Sequence, residues 1–127
     1  MKMKDSGERD YYHGGAQRDK AAGKGAYELI TPIGILRIAK VYEDGAKGKG
    51  ARNWEDGIPL GRFMQSSLRH IFQYIEGYRD EDHLAQAAWN LLGAIHTEEM
   101  VRRGVLPASL DNLPNYLGET NDDHTKQ

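Results

Sequence analysis

The chain has 127 residues, enough for one domain, and its 17 Lys and Arg against 19 Asp and Glu leave a formal net charge of −2. That balance excludes a general nucleic-acid binder, which needs a basic field to meet phosphate, so no direct nucleic-acid partner is expected. No cysteine is present, which excludes disulfides and Cys-based zinc sites and suits a reducing, cytoplasmic compartment.

In chain order, Met1-Lys2-Met3-Lys4-Asp5-Ser6 leads into polar residues, with no apolar run of the signal-peptide kind. No stretch approaches the roughly 18 apolar residues of a membrane span, so no membrane partner is expected. Residues 1–25 are rich in Gly, Lys and Asp without a period and read as a long loop or arm, with Tyr11, Tyr12 and His13 as anchors. An all-helical domain is expected over 26–118, and a disordered polar tail over 119–127. Its first helix begins at Thr31-Pro32, where threonine caps and proline fits the first turn, and ends at Gly45. Apolar residues from Ile33 to Tyr42 fall on nearly all its sides. Gly45–Gly57 reads as a donor-rich loop. The second helix spans Leu60–Glu76, with Met64, Leu68, Ile71, Phe72 and Ile75 at helical spacing and Gly77 as its stop. The third runs from about Glu81 to Arg103, with Leu84, Ala87, Ala88, Leu91, Leu92 and Ile95 as its apolar face. No strand is expected anywhere. With 39% hydrophobic residues and 15 glycines the core is small, and a homo-oligomer, dimer or tetramer, is expected to complete it.

The third helix also carries Asp82, His83, Gln86, Asn90, Gly93 and Thr97 within one narrow arc. Short groups with defined hydrogen-bonding geometry read either as the wall of a polar cavity or as a network between helices. The second helix adds a polar stripe, Arg62, Gln65, Ser66, Arg69, Gln73 and Glu76, together with His70. If that stripe faces the arc, cationic and acidic groups meet, as a phosphate substrate with a divalent metal requires. Lys47, Lys49 and Arg52 on the glycine-rich loop are further phosphate candidates. Gly23-Lys24 is followed by Gly25 rather than Ser or Thr, so no P-loop is present, and no His-Asp pair or serine-hydrolase elbow occurs.

Gly14-Gly15-Ala16-Gln17-Arg18-Asp19, Gly23-Lys24-Gly25 and Tyr27-Glu28-Leu29-Ile30 are followed by Gly45-Ala46-Lys47, Arg52-Asn53-Trp54-Glu55 and Gly57-Ile58-Pro59. Ser67-Leu68-Arg69-His70, Asp80-Glu81-Asp82-His83-Leu84-Ala85 and Ala88-Trp89-Asn90 complete the series. In this order and spacing the segments, over Gly14–Pro114, resemble the N-terminal domain of phage and bacterial dATP/dGTP diphosphohydrolases, the MazZ-like group of the MazG superfamily. The resemblance implies an all-α fold, a MazG/HisE-like helical bundle in which helices of two or more chains form the site. It also implies hydrolysis of a purine deoxynucleoside triphosphate, dGTP before GTP or dATP, to monophosphate and pyrophosphate with Mg²⁺ or Mn²⁺. The setting implied is phage nucleotide metabolism in the host cytoplasm.

The MazG pattern of Glu-x-x-Glu and Glu-x-x-Asp is not carried over: the register on the third helix reads His83-Leu84-Ala85-Gln86, and Ser66 and Arg69 stand on the second. The expected metal ligands are therefore the acids at hand, Glu55, Glu76, Glu81 and Asp82, with Glu81 and Asp82 catalytic. The expected substrate contacts are Lys47, Arg52 and Arg69 for phosphate, Trp54 for stacking and Asn53 or Asn90 for the base edge, with His70 and His83 on the site walls. A non-enzymatic helical module, for nucleotide binding or phage assembly, is the alternative. A HisE-like hydrolase of another phosphorylated molecule is a further one.

Overall fold

A computed structural model describes residues 3–118; the tail expected to be disordered, 119–127, lies outside the described residues. The chain divides at Pro32 into two compact units.

The first unit contains strands where none is expected. A short antiparallel hairpin pairs β1 (Arg9–Tyr11) with β2 (Gln17–Asp19), Arg9 opposite Asp19 and Tyr11 opposite Gln17. Three-residue strands are too short to show an alternating pattern, so periodicity misses them. The turn closes through Gly15, which takes φ +90° and donates its N–H to the Tyr12 carbonyl at 2.9 Å. A side-chain clamp does the rest: the Asp19 carboxylate accepts from the Ser6 hydroxyl, from Lys24 at 2.9 Å and from Arg9 at 3.3 Å. The Ser6 hydroxyl, then Lys24, hold that carboxyl far below the usual range. A depressed carboxyl pKa contributes stability that is whole above the unfolded value of about 3.9 and drains away as pH falls through the folded one. Protection of the hairpin amides, taken relative to intrinsic exchange at each pH, is thus expected to hold down to about pH 4 and to fall in stronger acid. In Asp19→Asn it should be low throughout. A wild-type hairpin whose protection is already lost by pH 5 would contradict the clamp.

In the second unit, α1 (Pro32–Lys49) starts at the expected proline but runs past Gly45, taking in the first part of the segment read as a loop. Neither Gly45 nor Gly48 takes a positive φ, whereas Gly50 does, at +91°. A glycine inside a helix costs only about 1 kcal/mol, too little to stop a helix by itself. Lys47 and Lys49 in the last turn also complement the negative end of the helix dipole.

The second helix, α2 (Leu60–Glu76), has the expected bounds, and Gly77 ends it at φ +103°. The third, α3 (His83–Arg102), starts later than expected: Asp82 is its cap, accepting from the Ala85 N–H at 3.1 Å, and Glu81 lies outside it. Contacts of Phe63 with Gly93, Ser67 with Ala87 and His70 with His83 run in opposite directions along the chain, so the two helices are antiparallel.

The face that α3 turns to α2 is the polar arc, not the apolar one. His83 is 2% exposed, Asn90 7% and Thr97 0%. Ser67 donates to the Ala87 carbonyl across the contact, at 3.1 Å. The buried part of the arc is thus packed between the helices, with His83 bonded across to His70, Asn90 bonded within α3 and Thr97 Oγ1 buried without a partner, and the stripe of α2 does not face it; Arg62 bonds Gln65 and Ser66 along its own helix. Small residues let the two backbones approach, and one large ring, Phe63, fills the space over Gly93 beside Leu60 and Ala94. The faces expected to be core look outward from the single chain: Phe72 is 60% exposed, Ile75 70% and Ile95 63%. After α3, Asn112 accepts the free Gly61 N–H at the start of α2, at 2.8 Å. No helix among the described residues is long and apolar enough to cross a membrane.

Candidate functional site

A cleft of about 460 Å³ opens between the C-terminal half of α1, the 3₁₀ turn Asn53–Asp56 and the beginning of α3. Its shape depends on Arg52, a non-glycine residue at φ +61°. The left-handed conformation costs an L-residue roughly 1–2 kcal/mol, and such strain is concentrated at functional sites. It turns the chain after α1 so that Asn53 and Trp54 line the cleft. The Arg52 guanidinium pairs with Glu55, holding that carboxyl below its ordinary value, and lies 5.4 Å from the centre of the Trp54 ring.

One wall of the cleft is aromatic. Tyr42 meets Trp54 edge-on with centroids 6.0 Å apart and lies 5.9 Å from Trp89, while Trp54 leans on His96 at 4.8 Å. Burial pushes the Tyr42 phenol above its usual pKa. Where α3 begins, the lining turns polar, with Glu81 and Gln86 joined by a hydrogen bond from Gln86 Nε2 to Glu81 Oε1 at 2.9 Å.

Glu81 also belongs to a cluster with Asp80 and His83, whose ligand atoms lie within 4.8 Å of one another. His83 is pinned on both ring nitrogens, by Asp80 on Nε2 and by His70 on Nδ1, each at 2.9 Å. A carboxylate only accepts, so Nε2 carries the proton facing Asp80; in neutral His83 the Nδ1 then accepts from the Nδ1–H of His70. The bond from His83 holds the Asp80 carboxyl below its ordinary value, and burial pushes His70 down. This pair of buried imidazoles fixes where the Asp80–Glu81 turn sits.

The expected site residues therefore separate. Arg52, Asn53, Trp54 and Glu81 line the cleft, and Glu55 stands beside it, paired with Arg52. His70 and His83 are buried between α2 and α3, and Asn90 is buried too, donating to the Gln86 carbonyl at 2.8 Å. Lys47 lies on α1 near Glu43 at 3.8 Å and Asp44 at 3.9 Å, outside the lining. Arg69 and Glu76 are exposed on α2. Asp82 meets Arg37 through both oxygens, at 2.5 and 2.8 Å, and this guanidinium first, then the helix cap, hold its carboxyl low. Tyr42, Trp89 and Asp80 were missed by sequence reasoning. For Asp80 a signal existed, its i, i+3 spacing from His83; for the two rings, apolar periodicity pointed to packing alone.

The family described as dATP/dGTP diphosphohydrolase, N-terminal, has a model that matches residues 14–104, from the hairpin turn to the glycine after α3. No curated protein and no solved structure matches the chain.

Proposed function

From the premise that the chain belongs to the dATP/dGTP diphosphohydrolase family, and is a nucleoside-triphosphate pyrophosphohydrolase, we propose that it takes a purine deoxynucleoside triphosphate, dGTP before dATP or GTP, into the cleft beside Trp54. One observation carries this reading: a single cleft joins an aromatic wall to Glu81, whose acidic cluster continues beside it in Asp80, the two chemistries that a base and a metal-bound triphosphate need. The family match speaks for an enzyme over a non-enzymatic module.

In this reading Trp54 and Tyr42 hold the base by its faces and edges, as aromatic rings do for any purine. Asn53 offers both a donor and an acceptor to the base edge. Arg52 and Lys49 neutralise phosphate charge, which grows on the leaving pyrophosphate. Glu55 tethers Arg52 and so sets the direction of its guanidinium. A divalent ion, Mg²⁺ or Mn²⁺, fits the exposed carboxylates of Asp80 and Glu81, with His83 orienting Asp80 through its Nε2–H rather than binding the ion, since both its ring nitrogens are engaged. Bound there, it would supply charge for the phosphates and a water of lowered pKa. Asp82 and Glu55 are less suited, because arginines occupy their oxygens, and Glu76 is outside the one such cluster among the described residues. The lack of cysteine suits a cytoplasmic setting, and the resemblance to phage enzymes points to phage nucleotide metabolism.

The outward apolar faces of α2 and α3 support a homodimer or tetramer in which those faces meet. Light scattering is expected to give a mass of at least two 14.3 kDa chains; a single-chain mass across micromolar concentrations would remove the oligomer.

The function is tested by pyrophosphate release with Mn²⁺ over all canonical dNTPs and NTPs. Purine deoxynucleotides should lead, and Trp54→Ala should raise KM about tenfold or more through lost stacking, with the helical circular-dichroism signal retained. Melting several degrees lower with unchanged KM would instead make Trp54 a packing residue.

A further inference from the structure

The order of groups along the cleft matches the order of groups along a nucleotide. The acidic turn Asp80–Glu81 precedes α3, Gln86 follows within its first turns, and Trp89 comes three residues later, about 4.5 Å farther along the axis. A nucleoside triphosphate runs from phosphates through sugar to base. With phosphates at the acidic turn and the base against Trp54, Tyr42 and Trp89, the sugar lies at Gln86.

The amide of Gln86 is not free to rotate. Its partner Glu81 is a carboxylate, which accepts and cannot donate, so the amide nitrogen must face Glu81, as it does at 2.9 Å. Gln86 lines the cleft, and among the described residues no donor is paired with its carbonyl oxygen Oε1. A lone acceptor held in one direction suits a hydroxyl. We propose that Gln86 Oε1 accepts the 3′-hydroxyl of the substrate sugar, making Gln86 a specificity-determining residue; this rests on the reading of the cleft given above.

The test compares dGTP with 2′,3′-dideoxy-GTP, which differ only in that hydroxyl, by kcat/KM for pyrophosphate release in wild type, Gln86→Met and Gln86→Glu. Wild type is expected to prefer dGTP by about tenfold, the value of one well-placed hydrogen bond. Gln86→Met removes the acceptor at similar length, so the ratio should fall to near one whatever happens to the absolute rates. Gln86→Glu keeps an acceptor while repelling Glu81, so both rates should drop and a preference for dGTP should persist. A wild-type ratio near one, or an unchanged ratio in Gln86→Met with both rates lowered together, overturns the inference and leaves Gln86 as a support for Glu81. If wild type releases pyrophosphate from neither nucleotide while cleaving another triphosphate, the substrate reading fails rather than the sugar contact alone.

Discussion

Glu81→Gln is expected to lower kcat for pyrophosphate release at least a hundredfold while the melting temperature moves by no more than a few degrees. The side chain is exposed and lies before α3 rather than in it, so no helix cap or buried contact is lost. The substitution keeps size and the capacity to bond Gln86 but removes the negative charge that a divalent ion requires. Mn²⁺ titration should show the same loss as weakened metal binding, independently of turnover. Asp82→Asn is the control. Asparagine caps a helix as well as aspartate does, so α3 keeps its start, and only the ion pair with Arg37 goes. Its turnover should stay within a few-fold of wild type, with modestly reduced stability. Near-normal turnover in Glu81→Gln together with collapse in Asp82→Asn would move the metal to Asp82 and break the present assignment.

Phe63→Ala is expected to be the most damaging change to the fold, at about 3–5 kcal/mol for an emptied aromatic site. The ring is 1% exposed and packs over Gly93 in the core with Leu60 and Ala94. The opposite side of that contact gives an independent reading. A Cβ on Gly93 would stand 2.5 Å from Phe63 Cε1 and 2.7 Å from Cζ, and the ring is enclosed by Leu60, Ala94 and Trp89. Gly93→Ala ought to gain about 1 kcal/mol of helix propensity, yet overpacking costs about 1–3 kcal/mol, so it should destabilise. Phe63→Leu introduced with Gly93→Ala should recover part of the loss, and denaturant midpoints of the four proteins would measure that coupling. Strict additivity would mean that the helices separate without cost and that Phe63 does not set their distance. Because Trp89 packs on Phe63 with centroids 6.3 Å apart, Gly93→Ala should also raise KM for the nucleotide.

The helical class, the bounds of α2 and the proline start of α1 were legible because they follow from local causes: apolar spacing, a left-handed glycine and a proline at the first turn. The loop residues Arg52, Asn53 and Trp54 were legible by resemblance, and the cleft gathers them. Which face of α3 would be buried was not. Apolar spacing marks a face that will leave water, but it does not say whether a neighbour in the same chain or another chain covers it. Here the antiparallel contact takes in Ser67, Ala87, Gly93 and Thr97 around Phe63 and Leu60, and leaves the leucines and isoleucine of α3 outside. The same limit applies to the acids. The sequence puts Glu81 and Asp82 ahead of Glu55 and Glu76 but does not separate the first two, and only the tertiary structure brings Arg37 to Asp82 and Arg52 to Glu55, leaving Glu81 in the cleft with Asp80 and His83 beside it. A carboxylate's role is decided by the charges within a few ångströms of it, and residues 45 positions apart, such as Arg37 and Asp82, come that close only when the chain has folded.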